Sequence, residues 1–475
     1  MAKIKYDYDI IILGGGSGGL VSSKLAVGLG KKVLLIEKNR LGGECSYSGC
    51  IPSKAFIRAS KAFYDTNKLQ QFGIKGSCKL DASNVMSYVK SVVNRVAKEH
   101  EPKVFEAFGI KIKFGSPEFI DNHTIKLSGK NITAKKFIIT TGSSPLIPTI
   151  EGLDKVKYFT NDTFFEQKKL PASFIVLGGG PIGIELTQVL NRLGVRVTLV
   201  DMNERILIKD DKELTLILQE KLIKEGIKLL LETKAIKAEK NNTKITVTLD
   251  DEKKTKISGD ALLVAAGRKP NTDGLHLENA GVTYNNRAIV VDEILRTTAA
   301  NIYACGDVVG PFQFSHMAEY QAVIAVTNAC LPITKKVDYS NVLWITFSDP
   351  EFAHAGVTEE QARYKYGKKI KVYKYGYNWL DRAITDSTEE GIAKFIIDKK
   401  GYLLGAHILG NNAGDIIHEA QILKSMKMKF TDIQNIIHAY PSYADITRQT
   451  GKKVYIDRLQ NNPVIKFLKL FKRNK

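Results

Sequence analysis

Two cysteines five residues apart carry the first sign of chemistry in this chain. They are Cys45 and Cys50, in the run Gly42-Gly43-Glu44-Cys45-Ser46-Tyr47-Ser48-Gly49-Cys50-Ile51-Pro52-Ser53-Lys54. In a regular helix that spacing leaves their Cα atoms roughly 7.5 Å apart along the axis alone. A disulfide tolerates roughly 4.4 to 6.8 Å, so a bridge between them needs a distorted segment. Ser46, Ser48 and Gly49 supply one, because serine competes for backbone hydrogen bonds and glycine has little helical preference. Two unrelated buried thiols fit the same spacing, since structural disulfides are rare in a reducing compartment.

Two further stretches have the residue types to cradle phosphate. An apolar run of buried-strand type, Tyr8 to Leu13, leads into Gly14-Gly15-Gly16-Ser17-Gly18-Gly19. Gly14, Gly16 and Gly19 fit a G-x-G-x-x-G turn, with Ser17 and Gly18 inside it. The three glycines permit the tight turn, the approach of a pyrophosphate, and close packing of helix on strand. A helical stretch and a second strand, Lys32 to Ile36, end in Glu37 and Lys38. The acid stands where such a unit hydrogen-bonds an adenosine ribose. The unit recurs from Ser173 to Asp201: strand Phe174 to Leu177, then Gly178, Gly180 and Gly183 around Ile182, then strand Val195 to Val200 and Asp201. Strand, triplet, helix, strand and acid in this order argue against a merely flexible glycine loop. Two such sites imply two bound dinucleotides. Asp201 favours a free ribose 2′-hydroxyl and repels a 2′-phosphate, which predicts NADH over NADPH, with Arg205 near enough to oppose that preference.

Length and composition bound what must position these groups. A chain of 475 residues is about three domains' worth, and its 44 % hydrophobic content is ordinary for a globular protein. Five cysteines without a Cys-x-x-Cys pair or a histidine cluster argue against a structural metal site, and Cys78, Cys305 and Cys330 are expected to be structural. The N-terminus is charged without an apolar signal core, and nowhere do about 18 apolar residues run together. A cytoplasmic location is expected. The formal charge of +20 is spread along the chain without an aromatic-studded basic block before the last residues, which argues against nucleic acid.

These motifs together resemble the pyridine nucleotide-disulfide oxidoreductases, the flavoprotein family of lipoamide dehydrogenase, glutathione reductase and mercuric reductase, over nearly the whole chain. The resemblance implies an α/β fold of two Rossmann-like dinucleotide-binding domains, for FAD and NAD(P), plus a C-terminal α+β dimerisation domain and hence a homodimer. It divides the chain into a first FAD part (1–150), an NAD(P) domain (151–270), a second FAD part (271–335), a dimerisation domain (336–460) and a basic tail (461–475). It implies that Cys45 and Cys50 form a redox-active disulfide, with Cys50 against the flavin and Cys45 meeting the acceptor. Lys54 and Glu185 match an ion pair beside the flavin where nicotinamide stacks. Gly43, Glu44 and Gly115 join the flavin site by the same resemblance. Thr141-Gly142-Ser143 looks like the end of the strand that closes the flavin domain, and the run through Gly267-Arg268-Lys269-Pro270-Asn271 like its counterpart after the nicotinamide domain. Gly306-Asp307 is similar to the second flavin motif, whose aspartate holds the ribityl chain. Ser315 begins the helix that points at the pyrimidine end, where a helix N-terminus stabilises negative charge.

The stretch His438-Ala439-Tyr440-Pro441-Ser442-Tyr443-Ala444-Asp445 departs from the thiol-reducing members. Those carry a histidine, supplied by the other subunit, at the position of Tyr440 and a glutamate at that of Asp445. Tyrosine titrates near pH 10 against about 6.5 for histidine, so Tyr440 is a poor base but a usable hydrogen-bond donor. Tyrosine there is what mercuric reductases show, yet they also carry a cysteine pair near the C-terminus, and no cysteine follows Cys330 here. His438, on the same side as Tyr440 in an extended segment, is an alternative base or a packing residue. The expected function is an FAD-dependent NAD(P)H oxidoreductase of mercuric-reductase-like type, acting on a metal ion, a disulfide or a quinone. The alternatives are lipoamide dehydrogenase and a non-catalytic flavoprotein binding membrane or anionic partners. From Pro463 the tail reads as an amphipathic helix with Val464, Ile465, Leu468 and Phe471 on one face and Lys466, Lys469, Lys472, Arg473 and Lys475 around it. That pattern fits a helix lying in an anionic membrane surface or one docked on its own dimer.

Overall fold

The computed structural model describes residues 5–472, with side chains through Phe467. Arg473 and Lys475 of the basic tail, and the side chains of the other tail residues after Phe467, lie outside the described residues. Contacts divide the chain into two units, one of residues 1–178, 192–196 and 235–338, the other of 179–191, 197–234 and 339–475.

The first unit is built on a seven-stranded sheet. Strand β1 (Tyr8–Leu13) is flanked in parallel by β2 (Val33–Glu37) and by Lys130–Ile139. Lys111–Phe114 extends the sheet beyond β2, and Ile302–Ala304 adds in parallel to Lys130–Ile139. Both faces are covered, so β1 and β2 are near-continuous apolar runs rather than alternating ones. Ile11, Ile12, Leu34 and Leu35 are wholly buried. Helix α1 (Ser17–Gly28) packs on β1 and β2. Gly14 turns the chain out of β1: its φ is +112°, and a side chain there would strike the Thr140 carbonyl. Helix α2 (Gly43–Tyr47) and α3 (Cys50–Asp65) follow β2. Ala261–Val264 pairs in parallel with Ser173–Leu177, the first strand of the second glycine unit. Cys305 is buried and Cys330 half-buried. Cys78 is exposed, in the polar, glycine-bearing stretch 74–80, which forms no helix or strand.

In the second unit Lys228–Leu230 pairs in parallel with Arg196–Val200. The C-terminal part is a five-stranded antiparallel sheet in the order Leu343–Thr346, Glu351–Gly356, Leu403–Gly410, Ile392–Asp398, Ile370–Gly376. The helices Ala413–Ser425 and Asp445–Asn461 cover it, and Phe395, Ile408, Ile417, Phe430 and Ile446 form the core between. Two polar clusters sit inside this unit. Lys394, only 2 % exposed, has its Nζ 2.7 Å from Asp211, 2.7 Å from Glu213 and 3.0 Å from Glu359. The Trp344 indole stacks on His354 at 3.5 Å between ring centroids, and both donate to or share a proton with Asp210 Oδ1, at 2.8 and 3.1 Å. The tail helix, Pro463–Lys472, starts at the proline as expected, with Val464 63 % and Phe467 59 % exposed.

Candidate active site

The segment with the two cysteines is shaped by its glycines. Gly42 and Gly43 have φ of 104° and 58°, a region that favours glycine. A Cβ on Gly43 would lie 2.8 Å from Gly16 Cα, so this pair lets α2 approach the first glycine turn. Helix α2 then closes after little more than a turn. The amides of Ser48 and Gly49 both donate to the Glu44 carbonyl, at 2.9 and 2.7 Å, and α3 starts at Cys50. A Cβ on Gly49 would meet Glu44 O at 3.1 Å and Cys45 Cα at 3.3 Å. Of the three residues expected to distort the segment, Ser48 and Gly49 form the break while Ser46 stays inside α2, and the break folds Cys50 back until its sulfur is hydrogen-bonded to that of Cys45. That contact, and then burial, push the Cys45 thiol well above its ordinary range, against the pull of the Ser315 hydroxyl and the Cys50 amide. Cys50 Sγ lies 3.5 Å from Ser315 Oγ, at the start of the helix Ser315–Cys330.

Neighbouring residues of the segment are each fixed from a different element. Glu44 receives a fork from Arg268, NH1 at 2.8 Å and NH2 closer still, together with Asn161 Nδ2 at 2.7 Å. Ser46 Oγ is 3.3 Å from His100 Nδ1, the Arg40 guanidinium lies 3.6 Å over the Tyr47 ring, and Ser48 donates to Asp162 at 3.0 Å.

The first glycine turn has the form of a pyrophosphate cradle. Helix α1 has Gly16 at its N-cap and no side chain caps its first-turn amides. A Cβ on Gly16 would meet nothing nearer than Gly43 Cα at 3.9 Å, so the space in front of those amides is open. Gly19 is required for a different reason, since a side chain there would strike the Gly14 carbonyl. Glu37 accepts from the amides of Gly15 at 2.6 Å and Asn39 at 2.8 Å, and Gly115 donates to the Glu37 carbonyl at 2.9 Å. Ser17, Gly18 and Lys38 fall within this turn and at its acid. Such amides and dipole suit an anionic diphosphate, so the residues fit FAD. Thr141 Oγ1 donates to Asn271 O at 2.7 Å, and the Asn271 amide to Gly142 O at 2.9 Å. Gly267 accepts from the Leu146 amide at 2.9 Å. Ser143 Oγ donates to Asp307 at 2.6 Å and receives Arg268 Nε at 2.7 Å.

The second turn repeats the arrangement. Asp201 accepts from the Gly179 amide and from Asn203 N at 2.7 Å. Gly180 is open, Gly183 is buried, Ile182 is half-buried, and a side chain on Gly178 would strike the Ala265 carbonyl. Arg205 does not face this acid: it is 6 % exposed and bonds the carbonyls of Leu207 and Ile208 at 3.2 and 3.0 Å. Lys54 lies on α3 in the first unit, and Glu185, in the second, is buried and accepts from the Phe347 amide at 2.9 Å.

The C-terminal candidates are not gathered as the motif suggests. Tyr440 OH donates to Asp381 at 2.8 Å, which holds the phenol above its ordinary value. Asp445 instead starts the helix Asp445–Asn461, where Arg448 and Gln449 donate to it at 2.6 and 2.9 Å. His438 Nε2 is 3.3 Å from Glu419, so it and Tyr440 have different partners. Sequence reasoning missed Asp381, Asn161 and the role of Arg268. Only Arg268 had a signal, standing inside a run read as a domain border.

A sequence model of the pyridine nucleotide-disulphide oxidoreductases matches residues 8–322, and one of that family's dimerisation domain matches 342–450. The chain is 34 % identical over 445 residues to a mercuric reductase of Lysinibacillus sphaericus, covering 92 % of this chain and 81 % of the relative. It is 33 % identical over 453 residues to a dihydrolipoyl dehydrogenase of Geobacillus stearothermophilus, covering 94 % and 95 %. Among solved structures, the HOCl-induced flavoprotein disulfide reductase RclA from Escherichia coli, as its Cu(II) complex, superposes with a TM-score of 0.85 at 27 % identity, over 95 % of this chain and all of that one.

Proposed function

Because the chain belongs to the pyridine nucleotide-disulphide oxidoreductase family, an enzyme family whose typical cofactor is FAD, we propose that it moves electrons from NADH through FAD and a Cys45–Cys50 disulfide to a small acceptor of the mercuric-reductase-like kind. The observation that carries this reading is the break at Gly49, which folds Cys50 onto Cys45 beside Ser315.

Bound FAD supplies two-electron transfer between nicotinamide and sulfur. The uncapped start of α1 would hold its pyrophosphate, Glu37 its adenosine ribose and Asp307 its ribityl chain. The helix from Ser315 aims its positive end at developing negative charge. Lys54 and Glu185 are proposed to pair where nicotinamide stacks. The disulfide takes up two electrons and one proton, the hydride equivalent of NADH, so that one S–S bond breaks and a thiol and a thiolate form. The two sulfurs share that proton, and when the disulfide re-forms two electrons pass to the acceptor and the proton is released with them or to solvent. NADH is favoured over NADPH because Asp201 would repel a 2′-phosphate and Arg205, turned inward, cannot offset it. The order of parts is proposed as FAD, NAD(P), FAD, dimerisation domain, in a homodimer.

Tyr440 donates to Asp381 rather than serving as a base, which favours a metal ion or quinone over dihydrolipoamide. The copper complex of RclA is of the same kind. Among the described residues no helix is long and apolar enough to cross a membrane. The exposed Val464 and Phe467 on the basic tail helix support a cytoplasmic enzyme that rests peripherally on an anionic membrane, where a quinone is within reach.

Anaerobic titration with NADH tests the central reading. Wild-type protein is expected to take up two electrons more than Cys50→Ser and to develop a long-wavelength absorbance that the variant lacks. Equal electron uptake by the two would overturn the proposal.

A further inference from the structure

Glu44 stands immediately before Cys45, and its carboxylate is turned away from solvent, 26 % exposed, against Arg268, 13 % exposed. Both oxygens are engaged: Oε1 by Arg268 NH1 and Asn161, Oε2 by Arg268 NH2. Two guanidinium nitrogens on two oxygens is the fork geometry of an ionised carboxylate. The remaining donors of the same guanidinium run onward. Nε reaches Ser143 Oγ at 2.7 Å and lies 3.6 Å from Asp307, NH2 reaches Ser143 O at 3.0 Å, and Ser143 Oγ donates to Asp307 at 2.6 Å. One guanidinium therefore ties the residue next to Cys45 to Asp307, the aspartate proposed to hold the flavin's ribityl chain. It also serves more than one negative charge, since Asp307 and Asp162 act on the guanidinium along with Glu44.

We propose that Glu44 and Arg268 are a positioning pair that fixes the cysteine segment relative to Asp307 and sets how readily the reduced cysteine pair ionises. The proposal rests on the redox reading of Cys45 and Cys50. Glu44 disfavours thiolate through like charge and Arg268 offsets it, so the two residues act with opposite sign. The other charged or titratable groups around the pair are Lys54 further along α3, His316 next to Ser315, Asp162 at Ser48 and His100 at Ser46. None of them is altered in sequence when Glu44 or Arg268 is replaced.

The test is the pH dependence of alkylation of the phosphine-reduced holoprotein, read at Cys45 and Cys50 by mass spectrometry. Glu44→Gln keeps the shape and removes one negative charge, and should move the midpoint down by about one pH unit, a roughly tenfold change in acidity of the size one neighbouring charge exerts. Arg268→Met should move it up. Glu44→Gln with Arg268→Met restores the local charge balance and should return it towards wild type. A purely structural pair would lower the melting temperature of all three without opposite-signed shifts, and an unmoved midpoint, or shifts of one sign in both single variants, overturns the proposal. Should either single variant fail to fold, the other's sign decides. The readout needs no turnover, so opposite shifts in a protein whose Cys50→Ser variant matches wild type in NADH titration would defeat the redox reading alone.

Discussion

Tyr440 gives the sharpest prediction about what the enzyme turns over. Its hydroxyl donates to Asp381 at 2.8 Å, and that bond with the nearby negative charge holds the phenol above its ordinary value near 10. At pH 7 fewer than about one molecule in 10³ carries the phenolate. A positioned general base contributes about 10² to 10⁴ in rate, and this group is in the wrong protonation state to supply it. Tyr440→His places an imidazole beside Asp381, which would favour and orient the charged form. NADH-dependent lipoamide reduction, followed in both directions at pH 7, should be negligible in wild type and rise at least tenfold in the variant. The motif pointed to Asp445 as the carboxylate to restore, but Asp445 is engaged by Arg448 and Gln449, so adding Asp445→Glu should bring little more. Robust wild-type turnover of dihydrolipoamide, or a Tyr440→His variant no faster than wild type, would refute this reasoning.

Two other expectations concern the second unit. Lys394→Met strands three carboxylates, one of them fully buried, and should destabilise the strand Ile392–Asp398 by about 3–5 kcal/mol. Lys374→Met, which breaks an exposed pair with Glu213, should cost at most about 1 kcal/mol. Hydrogen exchange of that strand measures both. Asp211, Glu213 and Glu359 are held below the ordinary carboxylate range, with burial opposing and Lys394 among the causes that prevail. Their contribution is therefore complete above about pH 4.5 and lost as pH falls through the depressed values, so the Lys394→Met deficit should fade in acid. For the tail helix, full-length protein should float with anionic liposomes at low salt while a chain ending at Asn462 should not. Equal flotation would remove the membrane contact and the main reason to consider a quinone.

What could be read in the sequence is what backbone sterics and short-range patterns decide. Gly14, Gly16, Gly19 and Glu37 recur at fixed offsets because each has one local geometry: a side chain on Gly14 or Gly19 would strike backbone, Gly16 faces open space, and Glu37 accepts from the Gly15 amide. The break between Cys45 and Cys50 was legible in Ser48 and Gly49 for the same reason. What could not be read is pairing across long stretches. Glu44 and Arg268 are 224 residues apart, and no periodicity announces their meeting. Asp381 escaped notice because Tyr440 was interpreted through its neighbours in the chain, whereas its partner comes from 59 residues upstream. Arg205 stands four residues from Asp201, but sequence proximity does not say which way a side chain turns, and its guanidinium bonds buried carbonyls.

The stack of Trp344 on His354 gives this protein an internal optical reporter. Only two tryptophans are present, and the other, Trp379, is 64 % exposed. Their emission should differ in wavelength, since one indole faces water and the other lies against an imidazole with its N–H on Asp210. The blue part of the spectrum then follows the region around Asp210 and the red part the loop at Trp379. Both residues sit in the second unit, so their indoles report directly on the surroundings of that half of the chain.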